Sequence, residues 1–200
     1  MPFPNIQDLR FYQLKSRKYF LDTNVWLAVV SQILESADKK YTQYLKFFEQ
    51  ILSSQLKPKP SVLLCNLQVS EIINAYLRQI AMRRYIQEEK VGVVAHDYFK
   101  MVYRSTTHYE IQHKLIRDEI QGYQSILEMT DDFYTALQPM TLLKDLSTKM
   151  DYNDHYYHKL CVHIQKSGQG VSIVTHDSDF KFNDVEILTD NQKLKDLRYN

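Results

Sequence analysis

The chain has 200 residues, 44% apolar and 24% charged, and its 25 Lys+Arg nearly cancel its 24 Asp+Glu. That balance suits one domain over residues 1–200 with a real core, and it excludes a uniformly basic nucleic-acid-binding surface, so that only local patches can attract a charged partner. No apolar run approaches the roughly 18 residues of a spanning helix, the opening Met-Pro-Phe-Pro-Asn lacks a signal-peptide pattern, and a cytoplasmic protein without membrane contact is expected. Cys65 and Cys161 lie far apart in apolar segments, which predicts two buried reduced thiols. Four glycines and five prolines point to long helices with few tight turns.

Residues 1–17 show no clear period and read as a polar lead-in. Tyr19-Phe20-Leu21 then forms a short apolar run that stops at Asp22, and Thr23-Asn24 precede a second apolar run from Val25. This is the signature of a buried strand feeding a helix. After a break at Glu35–Asp38, with Asp38 as an N-cap, Tyr41, Tyr44, Leu45, Phe48, Ile51 and Leu52 recur at helical spacing. Lys57-Pro58-Lys59-Pro60 cannot be helical. Ser61–Cys65 reads as a second strand. A helix follows from Asn66, with Glu71 and Asn74 sharing one face and Arg78, Arg83, Arg84 and Glu88 carrying it into solvent.

Residues 91–150 read as an inserted helical hairpin projecting from the sheet. Thr107-His108-Tyr109-Glu110 is read as a capping box for a helix reaching about Met129. Lys100, Arg104, Lys114 and Arg117 are interleaved with tyrosines there, as a solvated face or a nucleic-acid groove would require. Asp151 caps a helix to about Lys166, ended by Gly168 and Gly170. Val171–Val174 is a third strand, followed at once by Thr175-His176-Asp177-Ser178-Asp179, and Val185–Leu188 is a fourth. Strands separated by helices predict right-handed crossovers, hence an α/β fold: a three-layer α/β/α sandwich on a mainly parallel sheet.

In such a sheet, helices that follow strands begin on the edge where the strands finish, and open α/β sheets bind ligands there. Asp22 and Asp177, with Asp179 behind it, stand at strand ends; Glu71 and Asp154 stand near helix starts. Two carboxylates 4 Å apart repel by roughly 4 kcal/mol at an effective dielectric near 20. Four together become reasonable around Mg²⁺ or Mn²⁺, hard cations that prefer oxygen. One or two such ions activate water for phosphodiester hydrolysis without a Ser, Cys or His nucleophile. Asn24, Asn74 and Thr175 are neutral companions able to orient water or the acids. His155, His158 and His163 lack zinc-ligand spacing and a cysteine partner.

Leu-Asp-Thr-Asn at 21–24, Ser-Glu-Ile-Ile-Asn at 70–74, Asp-Tyr-Asn-Asp at 151–154 and Val-Thr-His-Asp-Ser-Asp-Phe at 174–180 together resemble the four acidic motifs of PIN domains, in that family's order. The resemblance implies a metal-dependent endoribonuclease similar to the VapC-type toxins of type II toxin–antitoxin pairs, with an RNA substrate, an antitoxin protein as partner and a homodimeric assembly. Carried over position by position, the metal-binding and catalytic acids are Asp22, Glu71, Asp154 and Asp177, with Asp179 as an extra metal ligand and Asp151 as a cap. The chain departs from the compact toxins in a longer segment between the second and third motifs and in an extended loop at Lys166–Gly170. The alternative is a PIN-like module that binds RNA or protein without cleaving. A haloacid-dehalogenase reading fails because the second aspartate it needs is replaced by Asn24.

Overall fold

The computed structural model describes residues 5–31, 39–92, 94–133, 136–148 and 150–198. Six strands form one sheet: β1 (Ile6–Asp8), β2 (Lys18–Leu21), β3 (Ser61–Leu64), β4 (Leu127–Met129), β5 (Val171–Val174) and β6 (Glu186–Thr189). They lie in the order β1-β6-β5-β2-β3-β4, and every pairing is parallel. Parallel strands must be joined by crossovers, which place helices on both faces. Along β2 the alternation of side chains separates the two cores. Tyr19 and Leu21 join a cluster on one face, and Phe20 joins the cluster on the other. The expected three-layer α/β/α sandwich is the observed architecture.

The first face is covered by α1 (Thr23–Ser31), α2 (Thr42–Leu52), α3 (Asn66–Ala75) and α6 (Thr107–Gly122). Trp26 is fully buried there against Phe48 and Tyr123. The second face is covered by α8 (Tyr152–Lys166) and α9 (Gln192–Asp196), with Phe180 and Phe182 filling the gap between them and the sheet. Cys65 and Cys161 are free and buried in this second core, as expected. His158 stacks on Phe182 and bonds Asp184 through Nε2. That makes it a histidine packed at the edge of the second core.

Four expectations change. The lead-in contains β1, whose Ile6 is fully buried and pairs with Ile187; three residues between polar neighbours carry no readable period. The helix expected to reach Met129 ends at Gly122, and the chain turns to lay β4 beside β3. Residues 91–150 are therefore not simply a projecting helical hairpin, because they return a strand to the sheet edge and bury Ile116, Ile120 and Ile126 in the first core. The cap of α6 is Thr106, one residue earlier than read, its hydroxyl accepting from the Tyr109 N–H at 3.1 Å.

The fourth change concerns the helix from Asn66. It runs on as a π-helical turn over Tyr76–Ala81 and then as α4 (Met82–Glu88). Tyr76, Leu77 and Ala81 are buried, and the Tyr76 hydroxyl donates to Gln112 at 2.7 Å, so this stretch packs on α6 before it meets solvent. The cap assigned to Asp38 falls outside the described residues. Among the described residues no helix is long and apolar enough to cross a membrane.

Candidate functional site

The site lies where β2 and β5, adjacent at the centre of the sheet, reach their carboxyl ends. The Asp22 N–H still bonds the Val174 carbonyl at 2.9 Å, as in the sheet, while the Asp22 carbonyl already accepts from Val25 and Trp26 to open α1. The chain changes from strand to helix at this residue. Asp22 is only 5% exposed. Its Oδ1 accepts from the Thr23 N–H, and its Oδ2 accepts from Asn24 Nδ2 and Thr175 Oγ1, each at 2.6 Å. Desolvation dominates these donors and pushes the Asp22 carboxyl up to about 6, with the negative charges of Asp177 and Glu71 acting in the same direction.

Thr175 is the joint between the two strand ends. Fully buried, it donates to Asp22 and accepts from the Asp177 N–H at 2.9 Å. Asp177 in turn accepts on Oδ1 from the Asp179 N–H at 2.8 Å. The loop is also held from outside by Tyr44 on α2. Its hydroxyl donates to the Thr175 carbonyl at 3.0 Å, accepts from the Asp190 N–H at 2.8 Å, and lies 3.1 Å from His176 Nδ1.

Substituting valine at position 175 keeps the volume and removes both hydroxyl bonds. We expect Thr175→Val to cost about 1–3 kcal/mol in chemical denaturation and to move the Asp22 carboxyl further upward in an NMR titration; an unchanged carboxyl would mean that this hydroxyl does not govern Asp22.

The third and fourth acids arrive from helices on opposite faces. Glu71, on α3, is half-buried, and its Oε2 accepts from the Tyr157 hydroxyl at 2.6 Å and from Asn153 Nδ2 at 3.2 Å, both on α8. Asp154 is in the first turn of α8, which Asp151 caps by accepting from the Asn153 N–H. Burial first, then the charges of Asp22, Asp177, Asp151 and Glu71, push the Asp154 carboxyl up to about 7.

Asp22 and the loop of Asp177 are thus joined through Thr175, and Glu71 is joined through Asn153 to the helix turn that carries Asp154. Asn24 belongs with the first pair, bonding Asp22 through Nδ2 and accepting from the His176 N–H through Oδ1 at 3.4 Å. Asn74 is not drawn in: it is exposed, and its amide returns to Ser70 in its own helix. Asp179 is exposed and contributes a backbone N–H to Asp177. In the sequence, Tyr157 and the side chain of Asn153 carry no signal of this role, because nothing local shows that Glu71 faces them. The same holds for Gln68, fully buried, whose amide donates to the Leu21 carbonyl.

The donor set is all oxygen, with neither cysteine nor histidine among the four acids, as Mg²⁺ or Mn²⁺ prefers. Two buried oxygens without a partner, Gln68 Oε1 and Thr23 Oγ1, belong to residues flanking Asp22. Among the described residues no group of three or more His, Cys, Asp or Glu side chains is already arranged to hold a metal ion. The acids instead take donors from the protein: Thr23, Asn24 and Thr175 on Asp22, Tyr157 and Asn153 on Glu71.

Fold and site together define a parallel three-layer α/β protein with a buried aspartate, Asp22, at the carboxyl end of a central strand and linked through Thr175 to the loop that follows the neighbouring strand. Comparison of the chain with protein-family models, curated proteins and solved structures finds no match.

Proposed function

We propose that the chain is a metal-dependent endoribonuclease that cleaves RNA phosphodiester bonds at a pocket formed by its acids. The observation that carries this reading is the burial of Asp22 at the carboxyl end of a central strand, where Thr175 ties it to the loop bearing Asp177 and Asn153 ties Glu71 to the helix turn bearing Asp154; burial raises the Asp22 and Asp154 carboxyls in keeping with that setting. Perturbed titratable groups converging on the ligand-binding edge of an α/β sheet are what a functional site looks like. Purely structural carboxylates are usually met by cations instead, as Glu186 is by Arg17 and Lys15.

Asp22, Glu71, Asp154 and Asp177 would hold Mg²⁺ or Mn²⁺. When bound, the ion supplies a water of lowered pKa and offsets the charge of the leaving oxygen. The chain's own residues fix the acids. Thr175 and Asn24 lock the Asp22 carboxylate, Tyr157 and Asn153 orient Glu71, and Tyr44 holds the loop that carries Asp177. Burial and its acidic neighbours favour the protonated form of Asp154, which must be ionised to face a cation. The toxin half of a type II toxin–antitoxin pair, acting as a homodimer in the cytoplasm, is the biological setting we propose, and a short neighbouring reading frame for an antitoxin would support it.

The test is incubation of purified protein with mixed RNA and Mg²⁺ or Mn²⁺, with and without EDTA. Cleavage that the chelator abolishes supports the hydrolase. RNA retained uncut favours the alternative of a non-cleaving binding module.

A further inference from the structure

Gln68 is fully buried in the first turn of α3, and its side-chain N–H donates to the Leu21 carbonyl at 2.5 Å. The sheet explains why that carbonyl needs a donor. The Lys18 N–H bonds the Gly170 carbonyl and the Asp22 N–H bonds the Val174 carbonyl, so alternate residues of β2 turn their backbone groups toward β5. The residues between them, Tyr19 and Leu21, turn theirs toward β3. On the β5 side the register continues to Leu21–Val174. On the β3 side it stops at Phe20–Leu63, because the chain leaves β3 after Leu64 and opens α3 at Asn66. The Leu21 carbonyl thus faces a place where the neighbouring strand has run out. A buried carbonyl left unpaired is costly, and the Gln68 amide supplies the missing rung.

That rung lies between two of the acids. Leu21 is followed directly by Asp22, and Glu71 comes three residues after Gln68 on the same face of α3. From the other side Glu71 is held by the Tyr157 hydroxyl at 2.6 Å, and the Tyr157 ring packs on Phe20 with centroids 4.8 Å apart. The charge of Glu71 is among those that raise the Asp22 carboxyl, in keeping with this arrangement.

Stability alone does not account for an amide at position 68. Its Oε1 is buried without a hydrogen-bond partner, and an unpaired buried acceptor carries a desolvation cost that the bond to Leu21 has to offset. Such breaches of polar satisfaction are expected at functional positions.

We propose that Gln68 is a positioning residue of the cation site, fixing the separation of Asp22 and Glu71 so that one divalent ion can be held by both. It acts through the end of β2 on one side and through one turn of α3 on the other, without touching the ion. The role rests on the metal-dependent reading above.

The experiment compares wild type with Gln68→Met, which keeps the length of the side chain and removes both polar atoms. Affinity for MnCl₂ is measured by calorimetry, and melting temperature and amide exchange are measured on the metal-free protein. Losing the rung and losing the unpaired oxygen act in opposite directions, so Tm is expected to stay within about 4 °C of wild type. Amide exchange at Asp22 and Val25 should quicken about tenfold or more, while Tyr19, further up the strand, keeps its rate. Mn²⁺ should bind about tenfold or more weakly, as when a residue that orients metal ligands is lost. Gln68→Leu repeats the measurement should the methionine variant not fold. Ile120→Val, in the first core, should lower Tm and leave Mn²⁺ affinity unchanged.

Mn²⁺ affinity equal to wild type in the Gln68 variants would overturn the proposal, whether or not exchange quickens, because the amide would then be a local bond only. An equal loss of affinity in Ile120→Val would overturn it as well, since any loosened core would act alike. A wild type that binds Mn²⁺ but cuts no RNA, with binding weakened in Gln68→Met, would end the hydrolase reading and leave this one standing. A wild type that binds no Mn²⁺ would end both.

Discussion

Replacing Asp22 by asparagine is expected to lower metal-dependent RNA cleavage by about a thousandfold or more while the chain stays folded. The expectation follows from the position of the residue. Asp22 is the most buried of the four acids, and it is tied to both central strands through its own backbone and through Thr175. On the hydrolase reading proposed above, losing a charged ligand there would remove several kcal/mol of charge stabilisation, and each 1.36 kcal/mol is tenfold in rate. The fold should persist because asparagine is nearly isosteric and its oxygen can still accept from the Thr23 N–H. Its new NH₂ can donate to the Thr175 hydroxyl, although it meets the Asn24 amide as a second donor. Cleavage assays of Asp22→Asn beside Asp177→Asn, with melting curves of both, check this; activity within tenfold of wild type in either variant would remove that acid from the chemistry.

The second large effect is on stability in the absence of divalent cations. The Asp22 carboxyl lies near 6 in the folded chain, against 3.8 as its ordinary value. A group whose folded value is raised keeps its proton in the folded state over a window where the unfolded chain has lost it. The unfolded state then binds fewer protons, so stability falls as pH rises from about 4 to about 6 and stays low above that. The difference between 3.8 and about 6 corresponds to roughly 3 kcal/mol.

Other groups titrate nearby. Burial depresses His155 and His158, so their charging lowers stability as pH falls below 6.5, in the opposite sense. The difference between wild type and Asp22→Asn cancels the histidines and leaves Asp22 together with its coupling to Asp154, which burial and the charge of Asp22 raise in the same sense. Wild type should lose up to about 3 kcal/mol relative to the variant between pH 4 and pH 7, or roughly 6–12 °C in Tm for a chain of this size. A difference that does not vary with pH would mean that Asp22 titrates as an ordinary exposed acid.

The central strands and the acids that end them were legible because their signals are local and repeated. A buried parallel strand is a bare apolar run, and a carboxylate at its end stands out against it. Asp22 and Thr175–Asp177 each follow such a run directly. The edges of the sheet were not legible. β1 and β4 have three residues each, too few to establish a period, and Ile120, Tyr123 and Leu127 happen to satisfy helical spacing across the turn at Gly122. A spacing of three puts Asn74 on the helical face of Glu71. That rule fixes a direction of about a third of a turn and cannot say which neighbour turns inward. Tyr157 and Asn153 answer from the other side of the sheet, a contact between positions more than eighty residues apart that no local pattern encodes.

Calorimetric titration of Mn²⁺ into the cation-free protein probes the acids as a unit. Wild type is expected to bind with release of protons that increases from pH 8 to pH 6, because Asp22 and Asp154 must give theirs up, and Asp22→Asn and Asp154→Asn should each weaken binding at least tenfold. Binding with no proton release, or affinity unchanged in both variants, would contradict a shared site built from these distant carboxylates.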